Sequence, residues 1–260
     1  MKKNPISYTM LVFASITLFS TQLHTANPEE SQPASPLVWG VTPDLEISEL
    51  QPGIWIHTSW MTLNNGARFP SNGLAGREDH SRVLIDTAWG EESTRHLLAW
   101  IKQELKLPVS AVIATHAHSD RMGGAPVLAE QGIPLDSHPS GFDMATRQGW
   151  PEPNNVGDLM PGDTVPFGTV EIFYPGAAHT QDNLMVWLPQ SRLLAGGCAV
   201  KSATAKTMGN IADADLEEWP ASIRRASDTY PEAEWVLPGH GAIGGRELLL
   251  HTTQLIEETE

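Results

Sequence analysis

Short apolar runs along the chain are broken by polar, glycine-rich stretches. Residues 53–60 and 81–86 are rich in β-branched and apolar side chains and are bounded by turn residues, which predicts strands. Between them, residues 64–76 carry Asn-Asn-Gly, a proline and further glycines, and read as a turn or mobile loop. Residues 91–105 predict a helix, because Leu97, Leu98, Ile101 and Leu105 share one face and Pro108 follows as a stop. Residues 109–114 form a short apolar strand, and a helix is expected after Gly123 and Gly124, up to Glu130. Further strands are expected at 170–174, 184–188, 193–195 and 234–237. Leu216, Trp219, Ile223 and Ala226 suit one helix face, and 246–258 a terminal helix. Strands alternating with helices indicate an α/β class with helices on both sides of sheet.

The first residues read differently. Lys2 and Lys3 precede an apolar run at 10–19 and a mostly small, polar stretch at 21–26. This is the pattern of an export signal. The run is short of the about 20 apolar residues that a membrane span needs. Residues 1–26 are therefore expected to be a signal peptide, 27–44 a leader, and 45–260 a single domain. No cysteine near the signal could take a lipid, so a soluble periplasmic protein without a stable membrane anchor, and a monomer, is expected.

Composition narrows the partners. The formal net charge is -15 over 260 residues, which argues against nucleic-acid binding, since phosphate neutralisation needs clustered Lys and Arg. Cys198 is the single cysteine, so an internal disulfide is impossible. It is either a small buried hydrophobe or a metal ligand.

The histidines carry the chemistry. His116, His118 and Asp120 alternate just beyond the strand at 109–114, where their side chains could converge on one point. His179 lies in Pro-Gly-Ala-Ala-His-Thr after a strand, Cys198 follows Gly196-Gly197, and His240 sits in Pro-Gly-His-Gly. Each occupies a strand end among small neighbours that let a metal approach. His57, His80, His96, His138 and His251 lack such a setting and read as satisfied loop histidines. Six donors would divide naturally into His116, His118 and His179 against Asp120, Cys198 and His240, a division that the sequence alone does not prove. A catalytic zinc takes three protein ligands and keeps an open position.

These ordered motifs, Thr115 to Arg121, Gly176 to Asn183, Gly196-Gly197-Cys198 and Gly239-His240-Gly241, resemble the metallo-β-lactamase family, in its two-zinc subclass with a cysteine ligand. The resemblance runs from about residue 45 to the C-terminus. It implies an αβ/βα sandwich, two sheets packed together with helices outside, and two Zn2+ at one edge. Relatives of other activity in the wider fold carry a histidine directly after the aspartate, and here that position is Arg121. This favours β-lactam hydrolysis over a lactonase or thioesterase.

The same resemblance implies roles for further residues. Lys201 matches the lysine that holds the substrate carboxylate, and Asn210 the asparagine aimed at the lactam carbonyl. Trp89 matches an aromatic on the cleft floor. Trp60, Met61 and Phe69 match a flap above it. Asp86 and Arg121 are candidates to orient the ligands. The implied reaction is attack of a zinc-activated hydroxide on the lactam carbonyl, with Asp120 orienting the nucleophile and Asn210 stabilising the oxyanion. Penicillins, cephalosporins and carbapenems are the implied substrates, and antibiotic resistance the consequence. Ser-x-x-Lys is absent, so the serine route has no support.

Overall fold

The continuous apolar runs in this chain belong to strands buried on both faces. The structure is a computed structural model that describes residues 37–78 and 80–258, with Met1. The expected signal peptide lies outside the described residues. Eight strands form one sheet in chain order: β1 (Val38–Thr42), β2 (Leu45–Gln51), β3 (Ile54–Thr62), β4 (Arg68–Arg77), β5 (Arg82–Ile85), β6 (Val109–Ile113), β7 (Leu135–Ser137) and β8 (Asn154–Asn155). Neighbours are antiparallel up to β5 and parallel from β5 to β8. The second sheet has the order β13 (Trp235–Pro238), β12 (Leu193–Gly197), β11 (Met185–Leu188), β10 (Val170–Phe173) and β9 (Thr164–Phe167). Only its β12–β13 pair is parallel. The helices are α1 (Glu91–Trp100), α2 (Ser119–Met122), α3 (Ala125–Gln131), α4 (Phe142–Arg147), α5 (Trp219–Thr229) and α6 (Glu247–Glu257).

Strand alternation sorts the core into three layers. Val83, Ile85 and Ile113 point between the sheets, where they meet Ile172, Val186, Leu193 and Leu237. Leu84 and Val112, one residue out of phase, face Leu97, Leu98, Val127 and Leu128 of α1 and α3. In the second sheet Phe173, Met185, Trp187 and Leu194 face Trp219, Ile223, Leu248 and Ile256 of α5 and α6. The period of two along each strand sends successive side chains to opposite layers. The result is the expected αβ/βα sandwich.

Local expectations hold unevenly. The helix at 91–105 forms, but its last turn, Ile101–Leu105, widens to a π-helix. Residues 64–76 are not a loop. Only Leu63 to Ala67 turn, and β4 fills the rest, paired residue by residue with β3. Burial on both sides outweighs the weak strand preference of its Pro70, Asn72 and two glycines. Val38–Thr42, inside the stretch read as leader, already forms β1 on the sheet edge. Leu216 precedes α5 and lies outside it.

Candidate metal centre

Four chain segments deliver side chains to one edge of the sandwich, each from the end of a strand. The segment after β6 carries His116, His118 and Asp120; the one after β10 carries His179; β12 leads into Cys198; β13 leads into His240. Close approach is built into the last of these. A Cβ on Gly239 would stand 2.6 Å from Cys198 Sγ and 2.8 Å from an Arg121 nitrogen, so only glycine fits.

His118 Nδ1 lies 3.1 Å from His116 Nε2 and 3.2 Å from His179 Nε2. Three ring nitrogens converging this way cannot all be satisfied by hydrogen bonding, because a single proton serves one such contact. A cation between them satisfies all three. In His118 the opposite nitrogen sets the tautomer. His118 Nε2 faces Asp213 Oδ2 at 3.0 Å, which leaves Nδ1 free to bind. Burial drives the His116 pKa well below its usual value and that of His179 down to about 3, so both are neutral donors.

A second triangle adjoins the first. Cys198 Sγ is 3.1 Å from His240 Nε2 and 3.5 Å from Asp120 Oδ2, and His240 Nε2 is 3.4 Å from Asp120 Oδ2. His240 Nδ1 donates to the Pro70 carbonyl at 2.5 Å, so Nε2 is its free end. His116 also lies within 4.8 Å of the Asp120 and Cys198 donors, so it stands where the two triangles adjoin. Burial pushes the Cys198 thiol up to about 12. Burial acts to raise Asp120 too, yet Arg121 and then His240 overcome it and hold the carboxyl at about 2. Both donor sets suit zinc: three imidazoles in one, and imidazole, thiolate and carboxylate in the other.

Arg121 ties this edge together. It is fully buried. Its Nε donates to Asp120 Oδ2 at 2.8 Å, its Nη1 to Asp86 Oδ2 at 3.1 Å and to the Asn72 carbonyl, and its Nη2 to the Gly239 carbonyl at 2.6 Å. Burial opposes its charge, but Cys198, Asp120 and Asp86 around it raise its pKa above the usual value. Asp86 sits at φ 65, a strained backbone for a non-glycine residue, and accepts from the Thr115 amide at 2.7 Å. Burial raises its pKa to about 6, against the pull of Arg121. These two residues hold the β6 loop that carries His116 to Asp120.

The donors open into a cavity of about 670 Å³. Lys201, Asn210, Trp89 and Phe69 line it, together with His118, Asp120, His179 and His240. Asn210 Oδ1 accepts from its own loop at the Ala212 amide, 3.2 Å away, which leaves the side-chain NH2 for a ligand. The Lys201 ammonium stands 5.0 Å from the Trp219 ring centre. Phe69 packs edge-on to Trp89 at 6.4 Å. Trp60 is not brought into the lining. It pairs with Pro70 across the hairpin, and the Arg68 guanidinium covers its ring at 5.0 Å. Met61 is also outside the lining, so Phe69 is the flap residue that reaches the cavity.

Of the other histidines, His251 lies on α6 and its Nε2 donates to the Ala205 carbonyl at 3.1 Å. His138 caps the turn Pro139–Gly141 through Ser140. His57 departs from expectation: it is buried in the strand β3 and does not lie in a loop. Asp213 and Asn72 escaped sequence reasoning. No periodicity marks an exposed loop aspartate, and Asn72 lies in the stretch read as a loop.

Similarity to known proteins agrees with this geometry. Residues 67–240 match the family described as the Metallo-beta-lactamase superfamily. The chain is 43% identical over 218 residues to a metallo-beta-lactamase type 2 of Bacillus cereus, covering 83% of this chain and 84% of the relative. It is 31% identical to one of Bacteroides fragilis, covering 84% and 88%. Among solved structures, a metallo-beta-lactamase from Pontibacter korlensis superposes with TM-score 0.77 at 40% identity, covering 82% of this chain and 99% of that one. The metallo-beta-lactamase FIM-1 from Pseudomonas aeruginosa in its mono-zinc form gives 0.79 at 34%, covering 83% and 96%. Two sheets with helices outside, paired donor triangles at one edge and these likenesses together place the chain in the metallo-beta-lactamase superfamily.

Proposed function

We propose that this protein is a zinc hydrolase that opens the amide bond of β-lactam antibiotics, penicillins, cephalosporins and carbapenems, and so confers resistance to them. The observation that carries the reading is the pair of adjoining donor triangles, four of whose side chains, His118, Asp120, His179 and His240, line one cavity with Lys201 and Asn210 on its wall. Two zinc ions per chain fit these triangles, one on His116, His118 and His179 and one on Asp120, Cys198 and His240. Zinc held there supplies a Lewis acid and lowers the pKa of water from about 15.7 to about 7.

The remaining work falls to the chain. Asp120, held ionised by Arg121, accepts a hydrogen bond from the attacking water and orients it. Asn210 offers its side-chain NH2 to the carbonyl oxygen, where charge develops. Lys201 pairs with the substrate carboxylate; burial strips water from this lysine and lowers its pKa, and an entering carboxylate supplies a counter-charge that favours the ammonium form. Phe69 and Trp89 cover the apolar face of the substrate and exclude water. Nothing favours Trp60 in a binding role. The single domain begins at β1 and not at residue 45, because Val38–Thr42 pairs with β2 in the first sheet. No helix among the described residues is long and apolar enough to cross a membrane. Lys2 and Lys3, followed by the apolar run at 10–19, support export to the periplasm.

Hydrolysis of nitrocefin, with and without a chelator, tests the proposal. Turnover should vanish as metal is stripped and return with zinc, and serine-directed inhibitors should have no effect. Undiminished turnover in a verified metal-free sample overturns it.

A further inference from the structure

Lys201 begins a stretch, 201–210, that has neither strand nor helix to hold it. Its support comes from outside. The Lys201 amide donates to Thr252 Oγ1 of α6 at 2.8 Å. That hydroxyl in turn donates to the Leu248 carbonyl at 2.7 Å, one turn back in its own helix. A helical threonine commonly bonds back in this way. Here the bond fixes the hydroxyl proton on Leu248 and so aims an oxygen lone pair at Lys201. Thr252 is fully buried, so no water replaces it as acceptor. On the other flank the Trp219 Nε1 donates to the Ala199 carbonyl at 2.8 Å, and the Trp219 ring lies under the Lys201 ammonium. His251, next to Thr252, holds the Ala205 carbonyl further along the loop.

We infer that Thr252 is a positioning residue for substrate capture: through the Lys201 amide it fixes where the Lys201 ammonium meets the substrate carboxylate. The inference rests on the reading of Lys201 given above. Thr252 does not line the cavity, so it acts through Lys201 alone. The terminal helix thereby becomes part of the binding machinery.

Thr252→Val keeps the side-chain shape and removes the hydroxyl. Misplacing a binding group by about 1 Å costs up to roughly 10²-fold. For a partial release of the loop, KM for a penicillin should rise roughly tenfold, with kcat little changed and zinc content equal to that of the parent. Thr252→Ser retains the acceptor and should return KM to the parent value, which a loss of packing alone would not do. In a Lys201→Ala background Thr252→Val should add nothing, because both act on one contact. If Lys201→Ala raises KM and Thr252→Val does not, the role of Thr252 falls while that of Lys201 stands. If Lys201→Ala leaves KM unchanged, the Lys201 reading falls and takes this inference with it. Should the valine variant not fold, amide hydrogen exchange of the zinc-loaded parent decides. A Lys201 amide protected like those of α6 supports the inference, and exchange at the rate of an open loop overturns it.

Discussion

Burial pushes the Cys198 thiol up to about 12, while its sulfur stands 3.1 Å from His240 and 3.5 Å from Asp120. A thiol so placed ionises near neutral pH only when a cation takes its charge. Cys198→Ser replaces a soft thiolate by a hydroxyl, a much poorer zinc ligand. Metal analysis should find about one zinc per chain instead of two, since His116, His118 and His179 are untouched. Turnover should fall steeply with the fold intact by circular dichroism. Two zincs and near-normal turnover in this variant would remove Cys198 from the ligand set. The candidate donors were visible in the sequence because each is a metal-binding residue type just beyond a strand, with His179, Cys198 and His240 set among small residues. Asp213 was not, since only folding brings residue 213 beside His118.

The β3–β4 hairpin shows what elements add. His57 and Gly73 are cross-strand partners, and the imidazole occupies the space that a Cβ on residue 73 would need. Burial, with Arg121 adding to it, lowers the His57 pKa from 6.5 to about 3. The folded protein thus keeps His57 neutral, whereas the unfolded chain protonates it below pH 6.5. Its contribution is complete above pH 6.5 and is lost as the pH falls toward 3. By linkage this one group costs about 2 kcal/mol of stability at pH 5 relative to neutral pH. His57→Met, of similar volume and without a titrating group, should remove about that much of the loss and leave the part due to the buried histidines His116, His179 and His240. Denaturant unfolding of the metal-free protein at pH 7 and pH 5 measures it, and equal losses in parent and variant would contradict the assignment. The hairpin was half legible. β3 has the apolar, β-branched composition of a strand, but β4 is held by its neighbours on both sides against its own glycines and proline.

Across the whole molecule, six donors from four separate segments meet at one edge, so a metal bound there is bound only by the folded chain. Such binding stabilises by mass action, about 2.7 kcal/mol when the free metal is a hundredfold above its dissociation constant. Chelation should therefore lower the melting temperature by several degrees, about 2–4 °C per kcal/mol for a chain of this size, and added zinc should restore it. Identical melting with and without chelator would mean that the donors hold no ion. The expected α/β class and outer helices follow from apolar runs that alternate with amphipathic ones, and the observed three-layer core agrees.

What the sequence by itself determined is therefore local or compositional. Strand and helix periods, the donor residues and their glycine neighbours, and the single cysteine are properties of short windows or of the chain as a list. The tertiary structure alone decided how closely the donors converge, that Arg121 binds four separate partners, and that Phe69 rather than Trp60 reaches the cavity. It alone set Thr252 behind Lys201, 51 residues away in the chain. The reason is geometric: a side chain's partners across the sandwich depend on sheet order and register, and these are set by the burial of all three core layers together, which no short window contains.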